Sequence, residues 1–288
     1  MKTNRYRHAS TLLKIALSVA CLWYALTKPD WTKMAQSWNQ IDLAWVLVAL
    51  GAYTASKLLA SSRLNINFKQ IGLPISETAN RRLFWLGMLY NLLLPGAITG
   101  DAYKVMALGK SPGSSRKSLT LAVLLDRFSG LLPLIILLAT LGLLVFSPNA
   151  LTISLLLGSL LLLPLSHWGV HRYLPEQAKG FTQTLWMGTG VQILVVATVL
   201  ALILAMGRTP QTLPYLFIFL SAAALSVLPI SVGGGLGIRE FASMEGARSL
   251  NLPLEQALLL SLLFYGVTVL TALPGFWYIF KNPLNESK

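Results

Sequence analysis

Charged residues are scarce in this sequence. Only 11% of its 288 residues are charged and 55% are hydrophobic, whereas an ordinary soluble domain carries about 25% charged residues. A soluble globule of this length would need a far more polar surface. The composition therefore excludes a soluble globular protein.

Cysteine is nearly absent. The single cysteine, Cys21, lies in the first apolar segment, which excludes a disulfide framework and a thiol cluster. His167 and His171 are four residues apart, but no third ligand lies nearby in the sequence, so we predict neither a metal nor another cofactor. The basic N-terminus resembles a signal peptide, but no small-x-small cleavage site follows the apolar run, so we expect a retained first membrane helix.

Acidic residues are few, ten against 23 lysines and arginines, which leaves a formal net charge of +13. In a soluble protein this excess would suggest nucleic acid as a partner. In a membrane protein the placement of Lys and Arg mainly sets orientation. We therefore interpret the excess as topological and expect no nucleic-acid partner.

Long apolar runs are abundant. The mean hydropathy is +0.63, and a helix crosses a bilayer core with about 20 mostly apolar residues. The runs predict an all-α polytopic membrane protein. We expect one integral domain over residues 1–288, with short connections and no appended soluble catalytic domain. The predicted spans are roughly 11–27, 43–61, 83–108 (interrupted), 118–146, 150–167, 183–206, 213–249 (interrupted) and 256–280.

The basic residues sort unequally between the two sides of the membrane. Fifteen fall in the two termini and in the 62–82, 109–117 and 168–180 connections, with Arg63 counted in the first of these, whereas the opposite loops hold three. The positive-inside rule therefore places the first group, and with it both termini, in the cytoplasm.

Segment 83–108 has basic flanks at both ends, so it should enter and leave the membrane on the same side. Its middle contains Pro95, Gly96 and Gly100, which interrupt a helix and permit a sharp turn. This pattern predicts a broken re-entrant hairpin.

Segment 213–249 is interrupted in the same way, at Pro229 and at a glycine-rich run from Gly233 to Gly237. The two breaks indicate inverted repeats, about 11–146 and 150–280, each of three spanning helices plus one broken re-entrant hairpin. Broken segments at corresponding positions of inverted repeats point to a substrate site near the midplane. The alternative is that both segments are merely kinked helices.

Charged side chains inside these segments are the functional candidates, because burying a charge in a bilayer is costly. Asp101 and Lys104 share one helix face after the first break, and Arg239 and Glu240 open the helix after the second. A helix N-terminus with glycine amides and an arginine suits a phosphate, so the Gly233–Gly237 loop with Arg239 is a candidate phosphate seat, with Lys104 as a second cation. The alternative for the loop is tight helix packing or a simple turn.

Asp126 and Arg127 lie in the cytoplasmic third of a long span. Adjacent helical residues point about 100° apart, so we expect them to pair with charges on the two hairpins. These pairs either lock the hairpins to the helix bundle as structural ion pairs, or their exchange gates the cavity.

Three blocks, at residues 91–104, 126–130 and 228–240, resemble the signature blocks of the lysylphosphatidylglycerol-synthase transmembrane-region family, which comprises flippase-like membrane proteins of bacteria and archaea. The resemblance covers almost the whole chain and concerns the membrane domain only. The matching residues that it implies for substrate binding or gating are Asn91, Pro95, Gly100, Asp101, Lys104, Asp126, Arg127, Pro229, Ser231, Gly233, Gly234, Gly237, Arg239 and Glu240.

The resemblance implies a multi-pass protein of the bacterial inner membrane that moves an anionic or zwitterionic lipid, a glycolipid or a polyprenyl-linked lipid between leaflets. We expect alternating access at the two hairpin tips, a membrane lipid as partner, and no catalysis, since no aminoacyl-transferase domain is expected. The alternative is a non-transporting accessory subunit of a lipid-modifying or glycosyl-transfer enzyme.

Overall fold

The computed structural model describes residues 2–73, 75–94, 98–109, 115–207, 211–226, 233–281 and 283–284, with the backbone alone for residues 2–12. These residues form eleven α-helices and no β-strand. The helices are α1 (Lys2–Thr27), α2 (Trp31–Asn39), α3 (Leu43–Gln70), α4 (Glu77–Leu93), α5 (Thr99–Leu108), α6 (Arg116–Val145), α7 (Ala150–Tyr173), α8 (Pro175–Ala205), α9 (Thr212–Ser226), α10 (Ile238–Ser249) and α11 (Leu254–Ala272).

Among the described residues, five helical segments are long and apolar enough to cross a membrane. They are α3, α6, α7, α8 and Leu254–Tyr278, in which a 3₁₀ turn extends α11. The apolar parts of α1 and α9, Leu13–Thr27 and Thr212–Ser226, are shorter. The predicted all-α multi-pass architecture is confirmed, whereas the inverted-repeat arrangement remains a prediction.

Both predicted interruptions occur. The first segment divides into α4, which ends at Leu93, and α5, which begins at Thr99; the second divides into α9, which ends at Ser226, and α10, which begins at Ile238. The helices therefore stop where proline and glycine cannot continue them. Pro95, Pro229 and Ser231 lie outside the described residues.

Two predicted connections are shorter than expected. Helix α3 continues to Gln70, so that Arg63 lies inside it, and α7 and α8 are separated only by Leu174. Polar residues end the apolar run near the end of α3 and near the start of α8. These residues are buried by other parts of the protein, since Arg63 is 6% exposed and Gln177 is 3% exposed. The placement of Arg63 in a cytoplasmic connection was wrong.

Helix α2 was not predicted. Its nine residues are too short for a membrane span. The helix begins at Trp31 because the Asp30 carboxylate accepts hydrogen bonds from the backbone N–H groups of Thr32 and Lys33, at 2.9 and 3.3 Å.

The chain divides into two compact units. Unit 1 comprises Met1–Gly51, Met88–Gly100 and Thr198–Leu273, and unit 2 comprises Ala52–Gly87, Asp101–Ala197 and Pro274–Lys288. Unit 1 packs α10 against α1, α9 and α11, around buried apolar residues that include Ala25, Met244 and Leu258. In unit 2, α6 packs on α7, and Leu125, Val170 and Phe181 form a buried cluster.

Candidate functional site

The first helix break is closed by side chains of α4 and α5. The amide oxygen of Asn91, in the last turn of α4, accepts a hydrogen bond of 2.8 Å from the backbone N–H of Gly100. Thr99 donates its hydroxyl to the Tyr90 carbonyl at 3.1 Å. Asn91 therefore acts as a neutral cap for one of the N–H groups that a helix leaves unpaired at its start.

Asp101, in the first turn of α5, holds two cations within unit 2. The Nζ atom of Lys104 lies 3.0 Å from Asp101 Oδ1, and Arg127 Nε on α6 pairs with Asp101 Oδ2. The predicted shared face of Asp101 and Lys104 is confirmed, and Arg127 pairs with a charge on the first interrupted segment, as expected. One carboxylate thus lies between two positive groups.

The two cations on Asp101 differ in accessibility. The Lys104 side chain is only 7% exposed, and its ammonium lies 4.5 Å from the centre of the Phe84 ring. The Arg127 side chain is 28% exposed. Arg127 is therefore the cation that a ligand can reach more easily.

Asp126 has a different partner from the one expected. Its two oxygens accept hydrogen bonds from Arg63 on α3, at 2.8 Å from Nε and 3.2 Å from Nη2. Arg63 is not on a hairpin, so the expectation for Asp126 was wrong. The signal that could have identified Arg63 is a polar face at helical spacing, Ser56, Arg63 and Asn67, which continues the helix past the end of the apolar run.

Two glycines make room for the Arg63 guanidinium. A Cβ atom at Gly130 on α6 would lie 2.7 Å from Arg63 Nη1, and a Cβ at Gly188 on α8 would lie 3.3 Å from it and would collide with the Ser129 carbonyl. Gly130 belongs to the 126–130 block of the sequence. The close approach of Arg63 thus explains why a glycine occupies position 130.

The second break is a glycine turn in unit 1. Gly233, Gly234 and Gly235 have φ values of 61°, 71° and 95°, a left-handed conformation that favours glycine. A Cβ at Gly234 would lie 2.7 Å from a methyl carbon of Leu92, in the last turn of α4. Within unit 1, the second break therefore lies against the helix that ends at the first.

Gly237 begins α10 at a very close helix contact. Its φ is 88°, and a Cβ atom there would collide with the Ser18 carbonyl oxygen of α1. The predicted alternative of tight packing thus applies to Gly237.

The charges that open α10 neutralise each other. Arg239 Nη2 donates to Glu240 Oε1 at 2.9 Å, and Ser261 of α11 bridges the two, accepting from Arg239 Nε at 2.9 Å and donating to Glu240 Oε1 at 2.8 Å. The other Glu240 oxygen accepts the backbone N–H of Gly237 at 2.6 Å. The position proposed for a phosphate at this helix end is therefore occupied by the protein's own carboxylate.

Lys57, on α3 in unit 2, is a further cation within a candidate span. Its ammonium lies 4.3 Å from the centre of the Tyr53 ring. A charged side chain at a membrane helix centre costs about 2.5 to 3.5 kcal/mol, whereas a cation–π contact contributes about 0.5 to 2 kcal/mol. The ring alone does not offset the cost.

The two units differ in their charge balance. In unit 1, α10 carries two cations and two carboxylates, paired as Arg239 with Glu240 and Arg248 with Glu245. In unit 2, helices α3, α5 and α6 carry four cations away from their ends, Lys57, Arg63, Lys104 and Arg127, against two carboxylates, Asp101 and Asp126. An anion is therefore better matched to unit 2.

The part of the chain that the structure describes contains no group of three or more His, Cys, Asp or Glu side chains able to hold a metal. His167 and His171 stack with ring centres 4.1 Å apart, and His171 Nδ1 lies 2.9 Å from the His167 carbonyl oxygen.

Comparison with protein families matches residues 11–275 to the family described as lysylphosphatidylglycerol synthase TM region. Comparison with curated proteins gave no match, and neither did comparison with solved structures. The family match covers nearly the whole chain and agrees with a multi-pass membrane protein. The chain belongs to the lysylphosphatidylglycerol synthase TM-region family.

Proposed function

We propose that this protein moves a phosphate-bearing lipid between the leaflets of the membrane, with the headgroup bound at Asp101, Lys104 and Arg127. The observation that carries the proposal is one carboxylate shared by two membrane-embedded cations, directly after a helix break. The family is a membrane domain, which is consistent with a lipid-related role.

Arg127 is the group that exchanges partners. Its planar guanidinium presents donors in a fork that matches a phosphate as well as a carboxylate. When a lipid phosphate arrives, Arg127 turns from Asp101 to the phosphate, while Lys104 stays paired with Asp101. The carboxylate thus holds Arg127 in place when no lipid is bound.

We infer from the broken helices that the lipid headgroup can cross the membrane through the protein. Irregular backbone at membrane depth is tolerated where it lines a cavity or is buried in protein, and such breaks mark the substrate sites of many transporters. In this proposal the headgroup crosses the membrane within the protein, while the acyl chains remain in the surrounding lipid. The protein catalyses no covalent step in this proposal.

The proposed orientation follows from the basic residues. Without Arg63, fourteen lysines and arginines fall in the termini and in the connections assigned to their side, against three in the opposite loops, so we expect both termini in the cytoplasm. Single cysteines introduced at Lys33 and at Lys117, in a background in which Cys21 is replaced by Ala, test this. A membrane-impermeant thiol reagent applied to intact cells should label the first and not the second.

The transport proposal is tested in proteoliposomes that contain fluorescent phosphatidylglycerol, with outer-leaflet fluorescence quenched by dithionite. The wild-type protein should move the label faster than protein-free vesicles do, and Arg127→Gln should slow it at least tenfold. Arg248→Gln is the control, because that arginine is 48% exposed and pairs with Glu245 instead.

A wild-type rate equal to that of protein-free vesicles would overturn the proposal. If a lipid-modifying enzyme then co-purified with the protein and lost activity without it, the accessory role would replace transport. An Arg127→Gln rate equal to wild type would leave transport intact and remove the assigned headgroup site.

A further inference from the structure

Lys57 lies near the middle of α3, in unit 2. It is the fifteenth of the 28 residues of α3, which places it about 21 Å along the axis from Leu43 and about 20 Å from Gln70 at 1.5 Å per residue. Tyr53 and Thr54 precede it by one turn and Ser61 follows by one turn, so all three share its face. Lys57 is half-buried, so its side chain is still accessible.

Lys57 differs from the three cations of unit 2 that were described above. Arg63, Lys104 and Arg127 each form an ion pair with a carboxylate. Nine of the ten acidic residues of the chain lie in the described ranges, all except Glu286, and none of the ion pairs found there includes Lys57. Its observed contact is the face of the Tyr53 ring.

Lys57 is partly accessible and lies inside a membrane helix. It has no carboxylate partner in the described part of the chain, so its charge suits an anion that comes from outside the protein. A lysine ammonium is a compact point charge with three donors, which suits a phosphate oxygen. Membrane-embedded ionisable residues commonly mark substrate pathways for this reason.

We propose that Lys57 binds the phosphate group of the transported lipid, as a second contact in addition to Arg127. The inference rests on the proposed lipid transport and extends it by a residue outside the three sequence blocks. Lys57 then takes its counter-ion from the substrate.

The test uses the full chain in nanodiscs of phosphatidylcholine doped with phosphatidylglycerol. Lys57→Met removes the charge, Lys57→Arg keeps it, and Lys69→Met is the control on the same helix, because Lys69 is 52% exposed and pairs with Glu77. Native mass spectrometry should show at least a tenfold loss of retained phosphatidylglycerol for Lys57→Met. Lys57→Arg should retain most of the lipid, and Lys69→Met should match the wild type.

Thermal unfolding of the same variants separates lipid binding from a structural role. An apolar residue removes a costly membrane charge, so Lys57→Met should unfold at the same temperature as the wild type or higher, although it loses the lipid. A lower unfolding temperature together with wild-type lipid retention would overturn the proposal. If Lys57→Met does not fold, Lys57→Gln, which also removes the charge, provides the same comparison.

Two further outcomes distinguish a lipid phosphate from free phosphate, and the Lys57 proposal from the transport proposal. Radiolabelled inorganic phosphate should not be retained in phosphatidylcholine-only nanodiscs; retention that depends on Lys57 would assign the site to free phosphate and overturn the lipid assignment. If the wild type fails to move lipid in vesicles but Lys57→Met still loses phosphatidylglycerol, transport is refuted and the Lys57 site stands.

Discussion

Arg63 and Asp126 form a two-point ion pair between α3 and α6, with Nε to Oδ1 at 2.8 Å and Nη2 to Oδ2 at 3.2 Å. The two side chains are 7% and 11% exposed. The two hydrogen bonds fix the orientation of the guanidinium and of the carboxylate. Such a two-point contact is the strong type of arginine–carboxylate interaction.

The pair predicts a large loss of stability when one partner is removed. Asp126→Asn leaves a buried guanidinium without its counter-charge, a change that costs about 3 to 5 kcal/mol. The free energy of unfolding in mixed micelles measures the effect. The double variant Arg63→Met/Asp126→Leu removes both charges and should recover most of the wild-type value, because an apolar pair of similar volume replaces a buried ion pair at little cost.

The same double variant decides between the two roles of the pair. If the pair is structural, the double variant transports lipid at the wild-type rate. If exchange of the pair gates the cavity, the double variant is stable but inactive. A double variant as unstable as Asp126→Asn would contradict the stability argument itself.

Gly130→Ala should displace the Arg63 guanidinium. The added Cβ would lie 2.7 Å from Nη1 and 3.1 Å from Nη2, and overpacking of this kind costs about 1 to 3 kcal/mol. Gly158→Ala on α7 is the matched control, since a Cβ there meets nothing within 4 Å. Equal unfolding free energies for the two variants would show that the space at Gly130 is not needed for the Arg63 guanidinium.

Glu240→Gln should be far more destabilising than Glu245→Gln on the same helix. Glu240 is fully buried and accepts hydrogen bonds from Arg239, Ser261 and the Gly237 amide, so its neutralisation leaves the buried Arg239 without a counter-charge, at a cost of about 3 to 5 kcal/mol. Glu245 pairs with the exposed Arg248. Its substitution should leave the unfolding temperature nearly unchanged, and a similar fall for both variants would contradict the argument.

Local chemistry explains which features were predictable from sequence. Proline and glycine mark both helix breaks, and a spacing of three residues brings Asp101 and Lys104 together on any α-helix. Apolar length identifies the long spans. Each of these depends on neighbours in the sequence, and each is present in the structure.

The remaining contacts depend on tertiary packing. Arg63 and Asp126 are 63 residues apart, and Arg63 was assigned to a connection because the polar residues around it end the apolar run. In the structure, other protein residues surround that part of α3. The hydropathy of the sequence there therefore does not predict where the helix ends. Similarly, the glycine turn before Arg239 suggested an open anion seat, but Ser261 of α11, which lies far along the chain, holds Arg239 and Glu240 together at that helix end.

Asn91→Asp should separate the stability of the first break from its affinity for an anion. An aspartate at this position can still accept the Gly100 N–H, and a negative charge near a helix N-terminus is favourable, so the unfolding temperature should stay at or above the wild-type value. The added charge lies against the Gly100 amide, which directly precedes Asp101 in the sequence, so we expect it to oppose the binding of a phosphate by the cations on Asp101. Retained phosphatidylglycerol, measured by native mass spectrometry, should therefore fall several-fold.

The control for this last variant is Asn149→Asp, at the start of α7, where the asparagine caps the N–H groups of Leu151 and Thr152 at 3.0 Å each. That cap has the same chemistry but does not adjoin the charged residues of α5. Asn149→Asp should keep both stability and lipid retention. If both variants lose lipid equally, the loss reflects general charge on the protein, and the first break is not the headgroup site.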